Sequence, residues 1–343
     1  MVMHDASLTS TAEVLVVLPT LNEAAHIETV LEQLQCDTVG SAPVAFVVLD
    51  GGSTDGTQQI VSTLASRRGN LYIFDNPGKT QAAALNMLLS GELAERFPKV
   101  ELLIRCDAHA RYPADYVDRV VAALEQTQAD SVVVVMDAES SGGCFQRAVV
   151  HIADSKLGAG GSAHRGGSAS GFVEHGHHAG FRIASFRRLA GYDTRFIANE
   201  DAEYDRRLLS DGGKIWLDAD IRMGYYPRAT VQGLWKQYYR YGFGRAANCL
   251  KHGTLPRLRQ TVPALHVWAS LLAILLLPWT VSGLLWPAIY AGLCIGVSVK
   301  VVLQKKDICG LGSGLALAVM HTAWGIGFWV AVVSGAGLNW RDD

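Results

Sequence analysis

The stretch Val44-Ala45-Phe46-Val47-Val48-Leu49-Asp50-Gly51-Gly52-Ser53-Thr54-Asp55-Gly56-Thr57 decides the fold. The unbroken apolar run Val44–Leu49 suits a strand buried on both faces, as in a parallel sheet. It ends in an acid, and the next turn is rich in glycine and side-chain oxygen. A helical pattern runs from Gln58 to Ala65. Strand, polar turn and helix make one βα unit. The unit recurs on both sides. Val14–Leu18 is an apolar run ended by Pro19, after which Ile27, Val30, Leu31 and Leu34 recur at helical spacing. Leu71–Phe74 is a third strand, Thr80–Leu89 a third helix, Leu102–Cys106 a fourth strand and Val132–Val135 a fifth. This alternation predicts an α/β fold with a doubly wound, parallel sheet. Ligands of such sheets sit beyond the carboxyl ends of the strands. Gly158–Gly180, rich in glycine and histidine, reads as a long functional loop. Glu200–Leu209 has helical spacing, with Asn199 as its cap.

The chain has 343 residues and a formal net charge of −2, enough for one large domain or two smaller ones. A near-neutral balance gives no overall argument for nucleic acid, and none is expected as a partner. The cysteines Cys36, Cys106, Cys144, Cys249, Cys294 and Cys309 form no C-x-x-C pair. Free thiols are therefore expected, with neither a zinc site nor a disulfide framework. Met1–Ala12 is polar and lacks the basic head and apolar run of a signal peptide.

The charges are unevenly placed. Arg228, Lys236, Arg240, Arg245, Lys251, Arg257 and Arg259 fall in a stretch without acids, interleaved with Trp235, Tyr238, Tyr239, Tyr241 and Phe243. Such a segment ahead of an apolar region reads as interfacial. From Ala264 onward the only charged side chains are Lys300, Lys305, Lys306, Asp307, Arg341, Asp342 and Asp343. Three apolar runs, about 264–284, 285–303 and 311–336, have the length of membrane spans. Putting Lys305-Lys306 and the basic segment on the same, cytoplasmic side satisfies the positive-inside rule. The expected division is a soluble domain over 1–227, an interfacial segment over 228–263 and a membrane domain over 264–343.

The fourth strand ends in Arg105-Cys106-Asp107-Ala108-His109. Residues two apart on an extended chain share a face, so Asp107 and His109 can reach one ligand. Read alone, Asp107 is better taken as a helix cap near Pro113. Other motifs change the balance: Pro19-Thr20-Leu21-Asn22-Glu23, Asp50-Gly51-Gly52-Ser53-Thr54-Asp55-Gly56-Thr57 and Asn199-Glu200-Asp201. In this order they resemble the family 2 inverting glycosyltransferases, over roughly Val14–Gly244. Asn76-Pro77-Gly78-Lys79-Thr80, Ala84-Leu85-Asn86, Arg105–Ala110 and His175-Gly176-His177-His178-Ala179 resemble the succinoglycan-biosynthesis β-glucosyltransferase branch.

The resemblance implies a GT-A fold, which is Rossmann-like with a mostly parallel sheet. It implies that Pro19, Thr20, Glu23 and Asp50 line a nucleoside pocket, and that Lys79 and Arg240 contact the diphosphate of a UDP-sugar. Asp107 and His109 stand at the D-x-D position, where the second aspartate is replaced by histidine; a carboxylate and an imidazole can still hold Mg²⁺ or Mn²⁺. Asp201 stands at the place of the general base, with Glu200 beside it to orient it or raise its pKa. Gln237-Tyr238-Tyr239-Arg240-Tyr241 resembles the Q-x-x-R-W motif, with tyrosine in place of tryptophan. That places Tyr241 at an acceptor site; for His175, His177 and His178 acceptor binding or loop packing is expected. The histidines are too compactly spaced for a four-ligand zinc site. His164 and Arg165 are further candidates for a lipid diphosphate. Gly78-Lys79-Thr80 is not a Walker loop, because Ile73 stands where a glycine is needed.

The function expected is transfer of glucose from UDP-glucose to a polyprenyl-diphosphate-linked saccharide, in exopolysaccharide or surface-glycan synthesis. The enzyme would be multi-pass in the inner membrane, with its catalytic domain in the cytoplasm and other glycan-assembly proteins as partners. The alternatives are a polyprenyl-phosphate sugar transferase acting on the monophosphate carrier, and a catalytically silent membrane scaffold.

Overall fold

A computed structural model describes residues 9–338. In chain order the strands are β1 Val14–Thr20, β2 Thr38–Val39, β3 Ala42–Asp50, β4 Leu71–Asp75, β5 Leu102–Arg105, β6 Ala110–Arg111, β7 Ser131–Ala138, β8 Gly171–Phe172, β9 His177–Arg182 and β10 Ile215–Tyr225. The helices are α1 Ile27–Gln33, α2 Thr57–Ala65, α3 Gln81–Asn86, α4 Glu92–Arg96, α5 Tyr116–Thr127, α6 Cys144–Ala153, α7 Lys156–Ala159, α8 Ile183–Arg188, α9 Glu200–Ser210, α10 Val231–Lys251, α11 Leu258–Leu276, α12 Leu285–Lys305 and α13 Ser313–Ser334.

The chain divides into two compact units. The first holds residues 9–137, 166–196 and 200–225; the second holds 138–165, 197–199 and 226–338. The second unit thus takes in α6 and α7, which precede the last strands of the sheet in sequence.

In the first unit the sheet runs β2-β3-β1-β5-β9-β7-β10-β6, with β4 beside β3 and β8 beside β10. The strands β4, β3, β1 and β5 are parallel, as their apolar runs suggest. Alternation along them fills two cores. Val14, Val16 and Leu18 pack with Val44, Phe46, Val48 and Ile104 under α1, α2 and α5. Leu15 and Val17 pack with Val47, Leu49 and Leu103 under α3, α8 and α9. A run apolar at every position is what a strand covered by helices on both faces requires.

The sheet is mixed rather than wholly parallel. Strand β9 lies between β5 and β7, antiparallel to both. It comes from the glycine- and histidine-rich stretch that reads as loop in the sequence. The misreading has a steric cause. A side chain at Gly180 would approach Val120 within 2.6 Å and Leu124 within 3.0 Å, so this central strand cannot carry an apolar residue there.

The second unit contains three helices long and apolar enough to cross a membrane, spanning Leu258–Leu276, Val281–Lys305 and Ile308–Ser334. More of the third span is buried within the protein than of the other two. It packs against α10, α11 and α12, while Leu271, Leu272, Leu275, Ile289 and Ile295 are exposed as suits contact with lipid. The basic aromatic segment forms α10, where the Thr230 hydroxyl accepts from the Gly233 amide. Cys144 and Cys309 are joined in a disulfide, with Cα atoms 5.0 Å apart, contrary to the expectation of free thiols throughout. Their 165-residue separation leaves no local spacing by which a sequence could mark the pair.

Helix α13 meets α10 at close quarters. A Cβ on Gly327 would fall 2.1 Å from the Tyr239 carbonyl oxygen, a backbone atom that cannot turn aside. Gly327→Ala should therefore destabilise the protein by about 1–3 kcal/mol, as overpacking does. Gly292→Ala, with open space around it, should stay within about 0.5 kcal/mol of the parent. Thermal midpoints in detergent test the contrast; equal midpoints would contradict the close packing.

Candidate active site

The site is built at the carboxyl ends of β1, β3 and β5. Their register is fixed: Thr20 lies opposite Asp50, and Val17 opposite Arg105. The loop after β3 is shaped by Asp50, which is 1 % exposed. Its Oδ2 accepts from the amides of Gly52 and Ser53 and from Gln58 Nε2, at 3.0, 2.9 and 2.6 Å. Its Oδ1 accepts from the Ser53 hydroxyl at 2.5 Å. Burial alone would raise the Asp50 pKa; the hydrogen bonds from Ser53, Gln58 and Gly52 outweigh it and keep the carboxylate ionised.

The loop after β1 is laced to this one. The Asn22 amide donates to Ser53 Oγ, the Glu23 amide to Thr57 Oγ1 and the Ala24 amide to Asp55 Oδ2. Thr20 is buried, and its carbonyl accepts from the Gly51 amide at 2.8 Å. Pro19, the last residue but one of β1, pairs with Leu49. Lys79, with a φ of +56°, comes close to the same turn: its Cα lies 3.4 Å from where a Gly51 side chain would begin. The expected nucleoside-pocket residues are thus gathered in one place.

Beyond β5, Asp107 is held from two strands. Arg105 Nη2 donates to Asp107 Oδ1 at 3.0 Å, and His177 Nε2, on β9, lies 3.5 Å from Asp107 Oδ2. Burial opposes ionisation of Asp107, but Arg105, then His177 and His109, hold its pKa well below the usual carboxylate range. His109 is half exposed and bonds through Nδ1 to Glu23 Oε1 at 2.8 Å. Asp107, His109 and Glu23 therefore form one contiguous edge. No three or more metal-ligating side chains converge among the described residues. Asp107 and His109 suit a cation that completes its coordination with diphosphate oxygens and water, rather than an all-protein cage.

Glu200 and Asp201 open α9, where a helix N-terminus favours negative charge. Gln81 Nε2 donates to Glu200 Oε1 at 3.2 Å, and Asp201 Oδ1 accepts from the Ala202 amide at 2.7 Å. Their surroundings drive the two carboxyls apart. Burial, then the adjacent Asp201 charge, pushes Glu200 up to about 7. Burial would raise Asp201 as well, but the imidazoles of His175 and His178 and the Arg105 guanidinium hold it low. Asn199, expected as the helix cap, has a φ of +67° and donates its side-chain amide to the Tyr241 carbonyl.

Three residues of this site are missing from the sequence reading. Arg105 is 6 % exposed, and its Nε and Nη1 have no hydrogen-bond partner among the described residues. A charge inside the apolar run Leu102–Cys106 was its signal, since it shares a strand face with Asp107. Asp205 and Tyr192 form the other part. Asp205 Oδ2 is 2.7 Å from His175 Nδ1, Asp205 Oδ1 is 2.6 Å from His178 Nε2, and His178 Nδ1 is 2.5 Å from the Tyr192 hydroxyl. His178 is wholly buried, with both ring nitrogens engaged, so it supports the site from behind instead of meeting an acceptor. His175 remains partly exposed. Arg240 and Tyr241 lie on α10 of the second unit, where Gln237 Nε2 donates to the Tyr241 hydroxyl at 3.1 Å. His164 and Arg165 also belong to that unit, and Arg165 Nη1 is 3.8 Å from Asp154.

Comparison with known proteins gives this geometry its family. Residues 15–189 match the model of glycosyl transferase family 2. The chain is 42 % identical over 330 residues to the succinoglycan biosynthesis protein ExoA of Rhizobium meliloti (strain 1021), covering 95 % of this chain and 97 % of that one. The chain belongs to glycosyltransferase family 2. A second relative of this glycosyltransferase is 23 % identical over 239 residues, covering 66 % of this chain and 71 % of its own: the dolichyl N-acetyl-alpha-D-glucosaminyl phosphate 3-beta-D-2,3-diacetamido-2,3-dideoxy-beta-D-glucuronosyltransferase of Methanococcus voltae. Among solved structures, the mannosyltransferase PcManGT from Pyrobaculum calidifontis, in complex with GDP-Man and Mn²⁺, aligns with a TM-score of 0.53 at 20 % identity. It covers 99 % of this chain and 90 % of its own, a likeness of fold.

The raised Glu200 pKa makes stability depend on pH. Between the ordinary value of 4.5 and about 7, the folded chain holds a proton that the unfolded chain has lost. Glu200's contribution is therefore complete below 4.5 and is lost as pH rises through 7. Glu200→Gln should raise the thermal midpoint at pH 8, and that advantage should vanish by pH 5. An equal effect at both pH values would contradict the raised pKa.

Proposed function

We propose that this glycosyltransferase moves glucose from UDP-glucose onto a saccharide carried by a polyprenyl diphosphate, with inversion, during synthesis of an exopolysaccharide or surface glycan. The observation that carries this reading is the gathering of Asp50, Asp107 and the Glu200–Asp201 pair at one end of the sheet, in a chain with three membrane-length helices. The high identity to a succinoglycan biosynthesis protein supports the polymer class. The archaeal relative, named for a dolichyl-linked sugar acceptor, supports a lipid-linked acceptor.

In this reading the Asp50 loop receives the nucleoside, with Pro19, Thr20 and Glu23 beside it. The buried Arg105, whose Nε and Nη1 lack protein partners among the described residues, suits the diphosphate, together with Lys79. Asp107 and His109 would hold Mg²⁺ or Mn²⁺, which supplies charge neutralisation for the departing UDP. Asp201, kept ionised, accepts the proton of the attacking acceptor hydroxyl. The C1–O bond to UDP breaks on the opposite face as the new glycosidic bond forms. Glu200, pushed up to about 7, holds its proton on the acid side of neutrality and there leaves a single negative charge on the pair. His175 and His177 would border the acceptor. Residues 1–227 act as the cytoplasmic catalytic domain, 228–263 as the interfacial segment and 264–343 as the inner-membrane domain.

The test is an assay of the full chain in native membranes with UDP-glucose, a lipid-diphosphate-linked saccharide and Mn²⁺ or Mg²⁺. Asp201→Asn should lose transfer by about 10²–10⁴-fold while binding UDP as the parent does. EDTA should stop turnover, and added metal should restore it. Parental turnover by Asp201→Asn would refute the base assignment. Glucosylation of the bare polyprenyl monophosphate would favour the alternative acceptor.

A further inference from the structure

The chain leaves the extended form at Ala108 and His109, which make a turn between β5 and β6. Alternation along a strand therefore does not by itself decide where Asp107 and His109 point. The Cys106 amide still donates to the Val17 carbonyl of β1, at 2.9 Å. The next amide, that of Asp107, donates instead to the Tyr112 hydroxyl at 2.6 Å. The same hydroxyl lies 3.4 Å from the Asp107 carbonyl oxygen. Tyr112 thus reaches back along the chain and closes the turn. It is itself held: its amide donates to Gln33 Oε1, on α1, at 3.0 Å, and its ring lies against Tyr116 with centroids 4.6 Å apart. Both rings belong to the core that includes Ile104, Cys106, Ala108 and Ala110. Ala108 and Ala110 are buried there, while His109 between them is half exposed. The turn is pinned from beneath, and its polar side chains are left at the rim.

We propose that Tyr112 is a positioning residue for a divalent cation at this edge: its hydroxyl caps the Asp107 amide and so fixes the turn that brings the Asp107 carboxylate and the His109 imidazole to one ion. This rests on the reading of those two side chains as the ion's protein ligands. An edge with two protein ligands has few side chains to set its geometry, so the backbone between them must be held in advance. Tyr112→Phe keeps the ring and its packing and leaves the Asp107 amide without its acceptor. A part-buried amide left unpaired is costly, and the turn relaxes toward water or another acceptor. The two ligands then lose their fixed separation.

The experiment titrates Mn²⁺ into the full chain in detergent, with and without UDP, and reads free Mn²⁺ by electron paramagnetic resonance. Tyr112→Phe should weaken Mn²⁺ binding in the presence of UDP by about tenfold, as loss of a residue that orients metal ligands does. UDP binding measured without metal should stay the parent's. In the transfer assay the Mn²⁺ concentration giving half-maximal rate should rise by the same factor, with kcat recovered at saturating Mn²⁺. A merely structural role would instead lower kcat in step with the folded fraction and leave the metal constant unmoved. Tyr116→Phe is the control. The Tyr116 hydroxyl is buried and has no hydrogen-bond partner among the described residues, so its removal should leave Mn²⁺ binding unchanged. If Tyr112→Phe does not fold, Gln33→Ala, which releases the Tyr112 amide, should weaken Mn²⁺ binding in the same direction; an unmoved constant there would overturn the proposal. Parental Mn²⁺ binding by Tyr112→Phe, or equal weakening by Tyr116→Phe, would overturn it as well. Asp107→Asn run in parallel separates the two levels. Parental Mn²⁺ binding there removes the metal reading and this inference together; binding lost in Asp107→Asn but unchanged in Tyr112→Phe removes this inference alone.

Discussion

The buried guanidinium of Arg105 is the charge around which the site is arranged. It stands between Ile104 and Cys106, both fully buried, on a strand paired on both sides. Taking such a cation out of water costs several kcal/mol unless a counter-charge is fixed beside it. Asp107, two residues on and on the same face, is that counter-charge. The arrangement works in both directions. Asp107 compensates the buried cation, and the cation keeps Asp107 ionised, as the proposed metal–diphosphate site would require. The same charge also acts on Tyr192, Glu200 and Asp201. The proposed donor and base regions therefore share one electrostatic centre, and a change at Arg105 would disturb both.

Around that centre the backbone is held by short polar side chains rather than by further charge pairs. Asp50 gathers donors from Gly52, Ser53 and Gln58, while Ser53, Asp55 and Thr57 tie the β1 loop to the β3 loop. Side chains of this kind take over backbone donors that a loop leaves unpaired. The result is two βα turns that behave as one wall. His109 extends the wall to β5 through Glu23. Oxygen-rich turns of this composition are expensive to bury and cheap to order, which is why they occur at the rim of the sheet and not within it.

Much of this was legible in the sequence, for physical reasons. Strands covered on both faces leave unbroken apolar runs, so β1, β3 and β5 stood out, and with them the turns that carry Asp50 and Asp107. The three membrane-length helices were equally plain, since lipid tolerates few charges. Strand β9 was not legible. Its central position is filled by Gly180, and its side chains His177 and His178 are polar because they face Asp107 and Asp205. A strand that builds a polar site loses the apolar signature by which strands are recognised. Asp205 was hidden for a related reason: an acid within a helix reads as a solvated face unless its partners, which come from 27 and 30 residues away, are known. The Cys144–Cys309 link depended in the same way on contacts distant in sequence.

The division of roles between Glu200 and Asp201 follows from surroundings, not from residue type. Two ionised carboxylates side by side would each raise the other, and one proton between them removes that repulsion. Which of the two keeps the proton is decided by what lies behind it. Asp201 has His175, His178 and Arg105 on its side, and an amide of its own helix turn. For Glu200, burial and the Asp201 charge outweigh the help of Arg105, and its side-chain partner is the neutral amide of Gln81. The positive charge is thus distributed so that Asp201 gives up its proton first. The N-terminus of α9 adds a field that favours the remaining negative charge without requiring a second cation. A pair prepared in this way presents one acceptor of protons at fixed geometry. The groups that prepare it, Arg105 on β5, His178 on β9 and His175 just ahead of that strand, are held by the same sheet that positions the proposed donor site.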